Sequence, residues 1–191
     1  MIWEVKEVSK DNLIDYSKIP MIIKVSSIYQ LKKINKGLGG ICLEEKKVKP
    51  YLKDLGENPL SWEKEFDVKN WAFFIVYDKE IPVGAATLAY NTKGVNMLKN
   101  RSDLCVLWDI RVHPDYKYQG IGKSLFKRCE EWAKSRNCSQ LKIESQNNNP
   151  SACQFYVRNG CALGEINEYA YYGEYDDEVM LIWYKDLKIK E

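Results

Sequence analysis

The sequence has little of what several common kinds of functional site require. It contains one histidine, His113, and none of its six cysteines form a pair at the C-x-x-C spacing of metal or redox sites. A catalytic cysteine needs a basic partner, and His113 is the only histidine that can be one. A Cys–His nucleophile is therefore a weak alternative. We therefore expect no metal site, and cysteines that pack as small buried hydrophobic residues in a reducing compartment.

An excess of one charge and long apolar runs are also lacking. There are 29 Lys and Arg against 27 Asp and Glu, and the net charge of +2 gives no electrostatic reason to expect nucleic acid or a membrane surface as partner. No apolar run approaches the roughly 20 residues that span a bilayer. The first residues alternate charged and apolar side chains, which is typical of a strand and not of a signal segment. We expect a cytoplasmic protein.

The length of 191 residues suits one domain, and the chain has no repeat or flexible linker, so we expect a single domain over residues 1–191. The apolar pattern predicts alternating strands and helices. Strands are expected at 2–8, 21–29, 38–45, 71–77, 81–90, 104–112, 141–145, 163–172 and 178–185, helices at 10–18, 122–136 and after Asn149, and irregular or short helical structure at 48–66. This order predicts a mixed α/β sheet.

Residues 117–123, Lys-Tyr-Gln-Gly-Ile-Gly-Lys, lie between a predicted strand and a predicted helix. The two glycines leave backbone N–H groups without side-chain cover at the start of the helix. Unpaired amides and the helix dipole both favour negative charge there. The stretch therefore predicts a site for a phosphate-bearing ligand.

Two motifs give these residues a family resemblance. Residues 117–122 resemble the Arg/Gln-x-x-Gly-x-Gly/Ala signature of the GNAT family of acetyl-CoA-dependent N-acetyltransferases, with Lys117 at the first position. Asn149-x-x-Ala-x-x-Phe-Tyr-x-x-x-Gly160 matches the family's later helix motif, and Cys161 replaces the usual Phe. The resemblance, strongest over 71–186, implies an α/β (α+β) GNAT acyl-CoA N-acyltransferase fold. Its central mixed, mostly antiparallel sheet is splayed between the fourth and fifth strands and flanked by helices.

The resemblance implies acetyl-CoA as cosubstrate. Its pyrophosphate would bind the amides of 118–123, its pantetheine arm would pair with the backbone edge of 110–112, and Asn149 would hydrogen-bond the arm. The implied cofactor-binding residues are Ile110, Arg111, Val112, Lys117, Tyr118, Gln119, Gly120, Ile121, Gly122, Lys123, Asn149, Ala152 and Tyr156.

The resemblance also implies catalytic residues. Tyr156 matches the tyrosine that protonates the departing CoA thiolate, a task that suits a phenol because it is protonated at neutral pH. The alternative is a half-buried helix residue with its hydroxyl paired to the backbone. Candidate bases for the attacking amine are Asp109 first and Glu144 second, and His113 ranks below them as a loop residue.

Each candidate base has a structural alternative, an exposed strand carboxylate paired with Arg111 or Lys142. Strand alternation places Asp109 on the opposite face from Trp108 and Ile110. The sequence leaves open which face lines the cleft.

Strings at 107–112, 144–149 and 181–187 resemble the streptothricin acetyltransferase group. This implies direct acetyl transfer, in a ternary complex, to a primary amine of a small cationic molecule, with aminoglycosides and streptothricin-like antibiotics as candidates. The alternatives are a protein or peptide N-terminal acetyltransferase and a non-catalytic acyl-CoA-binding module. An acidic cluster is formed by Glu174, Asp176, Asp177 and Glu178. A solvated turn is its default interpretation. A homodimer is a further alternative, because the aromatic-rich last strand can pair between two chains.

Overall fold

The computed structural model describes residues 3–56, 58–171, 173 and 177–187. The chain forms two compact units: the first comprises Met1–Ile22, Asp54–Ile143 and Tyr184–Glu191, and the second Ile23–Lys53 and Glu144–Trp183. The described strands are β1 Lys6–Val8, β2 Ile22–Lys33, β3 Ile41–Asp54, β4 Ala72–Asp78, β5 Ile81–Tyr90, β6 Leu104–Val112, β7 Gln140–Gln146, β8 Ala162–Asn167 and β9 Met180–Asp186. The described α-helices are α1 Leu13–Ser17, α2 Trp62–Glu65, α3 Ile121–Ser135 and α4 Pro150–Arg158.

The first unit is built on strands in the order β1-β4-β5-β6-β7. The pairs from β1 to β6 are antiparallel, and β6 pairs with β7 in parallel. β4 and β5 are almost continuously apolar because both of their faces are buried. The ladder between β6 and β7 covers the first four residues of β6 and ends at Leu107 and Ile143. The predicted mixed, mostly antiparallel sheet is confirmed, and this short ladder is the pairing that a splayed sheet predicts.

Helix α3 packs on β5 at the position of Gly84. A Cβ at Gly84 would overlap the Ile121 side chain in the first turn of α3, so the glycine lets the helix start directly against the strand. The predicted apolar stripe of α3 is confirmed, since Ile121, Leu125, Cys129 and Trp132 are all buried. The strand and the helix thereby fix where the amino end of α3 lies within the first unit.

The second unit contains a long hairpin, because β2 and β3 pair as a two-stranded sheet. The expectation of irregular structure from residue 48 is wrong for residues 48–54, which belong to β3. Pro50 misled the prediction. A strand without a second neighbour tolerates a proline because the missing N–H can face solvent, and Pro50 is exposed. The same unit holds α4 and strands in the order β7-β9-β8.

Several predicted elements are shorter in the structure. The strand expected at 2–8 covers Lys6–Val8, and the one expected at 163–172 ends at Asn167. The helix expected at 10–18 is a 3₁₀ turn, capped by Ser9, followed by the five residues of α1. None of the described helices combines the length and the hydrophobicity needed to cross a membrane.

Candidate active site

The predicted anion site lies at the amino end of α3, in the first unit. Gly120 is the N-cap residue, adopts φ 88°, and makes no side-chain capping bond. The helix starts with a bond from the Ser124 amide to the Gly120 carbonyl at 3.0 Å. The earlier amides of the first turn thus receive no side-chain cap, so they and the dipole of a 15-residue helix provide the arrangement that binds anions.

The loop before this helix end is held by contacts of its own. Lys117 donates from Nζ to the Ile22 carbonyl at 3.2 Å, and burial lowers the pKa of its ammonium. The Gln119 carbonyl accepts from Trp3 Nε1 at 2.9 Å. Tyr118 is 97% exposed, and Lys123 is also exposed. The loop is therefore shaped by Lys117 and Gln119, while the side chains of Tyr118 and Lys123 face solvent.

His113 lies in the loop after β6, as predicted. Its Nδ1 accepts from the Asp115 amide at 3.3 Å and caps the short 3₁₀ turn Pro114–Tyr116. The ring also meets Tyr116 edge-on at 5.8 Å. These contacts give His113 a structural task.

The predicted strand edge of residues 110–112 pairs with β5 on one side. Ile110, Arg111 and Val112 lie opposite Ala86, Ala85 and Gly84. The ladder with β7 has already ended at Leu107. Within the described residues of the first unit, the second edge of 110–112 therefore has no strand partner, which an added strand-like ligand requires.

A β-bulge at Trp108 changes which face Asp109 occupies. Leu88 lies opposite Leu107, but Thr87 lies opposite Asp109, so Trp108 is the extra residue. Trp108 packs edge-on against Phe66 at 5.2 Å, in the aromatic cluster around α1. The expectation that alternation separates Trp108 and Asp109 is wrong, because the bulge turns both toward this cluster.

Asp109 is committed to a buried network in the first unit. Its Oδ1 accepts from the Tyr16 hydroxyl at 2.8 Å and from Arg111 Nε at 2.9 Å, and its Oδ2 accepts from Arg111 Nη2. Arg111 also donates to the Ile19 carbonyl at 3.1 Å. Burial, with the Asp109 charge second, raises the pKa of Tyr16 well above its usual value. The expected pairing with Arg111 is present, but it is buried and not exposed as expected.

These contacts disfavour Asp109 as a base. Protonating it would leave the Arg111 guanidinium buried without a counter-charge. Tyr16 was missed by sequence reasoning, since it lies 93 residues from Asp109 and no local pattern connects them.

In the second unit, the predicted motif residues lie on α4 and at its start. Asn149 is the N-cap, as predicted, and its Oδ1 accepts from the Ala152 amide at 3.1 Å. This leaves its Nδ2 group to donate. Tyr156 is buried, and its ring centroid lies 6.3 Å from that of Trp183. The motif thus places an amide donor at the helix start and a buried phenol two turns later.

Glu144 lies on β7 in a second polar cluster, also within the second unit. Tyr171 donates its hydroxyl to Glu144 Oε1 at 2.6 Å. Gln146 donates from Nε2 to the Tyr171 oxygen at 3.0 Å, and more weakly to Glu144 Oε1 at 3.5 Å. Sequence reasoning missed both partners. Gln146 had a detectable signal, since it follows Glu144 by two residues on the same strand face.

The acidic cluster is described only in part, because Glu174 and Asp176 lie outside the described residues. Asp177 is exposed, and Glu178 pairs with Lys53. The cysteines are buried as expected except for Cys42, which is exposed in the hairpin. Burial raises the pKa of the Cys129 thiol, which makes it a weak nucleophile.

A cavity of about 380 Å³ opens elsewhere in the first unit. Its lining is Val8, Ser9, Lys10, Glu63, Phe66, Asp67, Val68, Lys69, Trp71 and Phe73. It contains none of the residues predicted for the site. Its carboxylates Glu63 and Asp67 are paired with Lys10 and Lys69.

Comparison with known proteins gives a family profile and a sequence relative. The profile of the acetyltransferase (GNAT) family matches residues 42–161, a range that includes parts of both units. Streptothricin acetyltransferase A of Bacillus subtilis is 28% identical over 144 residues, which are 74% of this chain and 76% of that protein.

Two solved structures resemble the chain along nearly its whole length. A crystal structure of nourseothricin acetyltransferase superimposes with a TM-score of 0.77 at 20% identity, covering 98% of this chain and 100% of that one. A Bacillus anthracis protein, described as a candidate streptothricin acetyltransferase in complex with acetyl coenzyme A, gives a TM-score of 0.75 at 26% identity, covering 96% and 98%.

Proposed function

The chain belongs to the acetyltransferase (GNAT) family, and we propose that it transfers an acetyl group from acetyl-CoA to a primary amine of a small cationic molecule of the streptothricin type. The transfer takes place by direct attack in a ternary complex. The observation that carries the acceptor class is the similarity over 144 residues to a streptothricin acetyltransferase. The uncapped amino end of α3 supports the cosubstrate, since it suits a pyrophosphate.

Within the proposal, several of the predicted cofactor residues have a task that their geometry permits. The amides that begin α3 bind the pyrophosphate, and Lys123 adds charge from its exposed position. The unpaired edge of residues 110–112 pairs with the amides of the pantetheine arm. Asn149 donates from Nδ2 to the arm, because its Oδ1 already caps α4.

We assign the base to Glu144 in preference to Asp109. Both oxygens of Asp109 accept bonds from Arg111. Glu144 has two donors on Oε1, and Oε2 has no partner among the described residues. Glu144 accepts one proton from the ammonium, and the free amine attacks the thioester carbonyl. The carbon–sulfur bond then breaks as the CoA thiolate takes a proton from Tyr156, and the second proton that the nitrogen loses on becoming an amide returns to the Tyr156 oxygen.

A thiol-release assay with acetyl-CoA tests this function across streptothricin-like amines, aminoglycosides, polyamines and N-terminal peptides. Turnover of streptothricin-like amines with a kcat/KM well above that of the peptides is the expected result. Preference for peptides would instead establish the protein N-terminal alternative. Tyr156→Phe is expected to lower kcat, and an unchanged rate at saturating substrates would remove Tyr156 from the mechanism.

A further inference from the structure

The cluster around Glu144 contains a residue to which neither the family motifs nor the proposed reaction assigns a task. Tyr171 follows β8 and is half-buried. Its hydroxyl donates to Glu144 Oε1 at 2.6 Å, the short end of the range for a bond to a carboxylate. One oxygen of Glu144 is thereby fixed by a charge-assisted bond.

Gln146 controls the direction of this hydroxyl. Its Nε2 donates to the Tyr171 oxygen at 3.0 Å, so that oxygen already accepts a bond and its own proton points to the carboxylate. The chain Gln146 to Tyr171 to Glu144 therefore runs in one direction. Its end is the carboxylate, whose Oε2 has no partner among the described residues.

Burial and the neighbouring carboxylates keep Tyr171 protonated. Burial is the main cause that raises the pKa of Tyr171 well above its usual value, followed by the hydrogen bond to Glu144, and the charges of Glu144 and Glu178 add to it. Glu178 itself pairs with Lys53 of β3. Tyr171 is consequently a donor throughout the pH range in which an enzyme works.

We propose that Tyr171 is a positioning residue for the acetyl transfer: its hydrogen bond fixes the Glu144 carboxylate through Oε1, so that Oε2 accepts the proton of the acceptor ammonium. This inference rests on the base assigned to Glu144 under the proposed function. A hydrogen bond that is made to the charged form of a carboxylic acid favours that form. Removing the hydroxyl therefore makes the carboxylate easier to protonate.

The test compares Tyr171→Phe with Tyr169→Phe. Tyr169 is a matched control because it lies two residues away and is 73% exposed. The measurement is kcat/KM against pH with acetyl-CoA and the best amine of the panel. Tyr171→Phe is expected to move the acid limb of the profile to higher pH, because the carboxylate loses a hydrogen-bond donor, whereas Tyr169→Phe leaves it in place. Coincident acid limbs for Tyr171→Phe and the wild type would overturn the proposal.

A second measurement separates this proposal from the proposed function. The titration of the Glu144 carboxyl carbon is followed by NMR in both variants and the wild type, with Glu144→Gln used to assign the signal. A midpoint that moves upward in Tyr171→Phe alone supports the coupling even if the true acceptor is missing from the panel. An unmoved midpoint refutes the coupling, and a Glu144→Gln enzyme with the wild-type rate refutes Glu144 as the base.

Discussion

Replacing Asp109 by Asn leaves the Arg111 guanidinium buried without its counter-charge. The two side chains are only 5% and 3% exposed, so water cannot solvate the charge that remains. Breaking such a pair from one side costs about 3–5 kcal/mol. For a chain of this size 1 kcal/mol lowers the melting temperature by about 2–4 °C, so we expect a fall of about 10 °C.

Removing the other partner as well is expected to reverse most of that loss. In the double variant Asp109→Asn with Arg111→Met neither charge of this pair remains, and the amide oxygen at position 109 can still accept from Tyr16. Urea unfolding followed by circular dichroism gives the free energy of unfolding of each variant. The thiol-release assay gives kcat on the folded fraction.

The outcome discriminates between the two tasks considered for Asp109. We expect Asp109→Asn to lose stability and to keep kcat within about tenfold at a temperature where it is folded, since removal of a general base costs roughly 10²–10⁴-fold. An unchanged melting temperature together with a kcat loss in that larger range would refute the reasoning. It would establish Asp109 as the base that the sequence first suggested.

Two further predictions use single positions of the first unit. Gly120→Ala should cost about 1–2 kcal/mol of stability because φ is 88° there, and it should weaken acetyl-CoA binding measured by calorimetry. The control is Gly94→Ala, which has φ 85° and equal open space around the added Cβ, so it should lose similar stability without loss of binding. Equal acetyl-CoA binding by both variants would contradict the anion site. Burial, with the Asp15 hydrogen bond second, raises the pKa of Tyr77 from 10.0 to about 12. The protonated phenol therefore stabilises the fold below pH 10, and this stabilisation is lost as pH rises toward 12. Tyr77→Phe should flatten the fall in unfolding free energy across that window, and parallel curves of unfolding free energy against pH for the variant and the wild type would rule out the linkage.

Much of the fold follows from local patterns. The apolar stripe and the glycine at its start predict α3 to within one residue at each end. The Asn149-Pro150 cap predicts the start of α4 because both residues satisfy the local needs of a helix end. Prediction was poorest for β3, where pairing with β2 outweighs the local effect of Pro50.

The sequence by itself determined the helix start at which the anion site is predicted, and the two motifs, because a helix end, its cap and a glycine with positive φ depend only on neighbours along the chain. The tertiary structure alone decided the contacts of the two candidate bases. Asp109 meets Tyr16 across 93 residues, and Glu144 meets Tyr171 across 27. The bulge at Trp108, which depends on register with β5, turned Asp109 toward Tyr16. Burial and hydrogen bonding set the basicity of a carboxylate, and both are properties of partners brought together by folding.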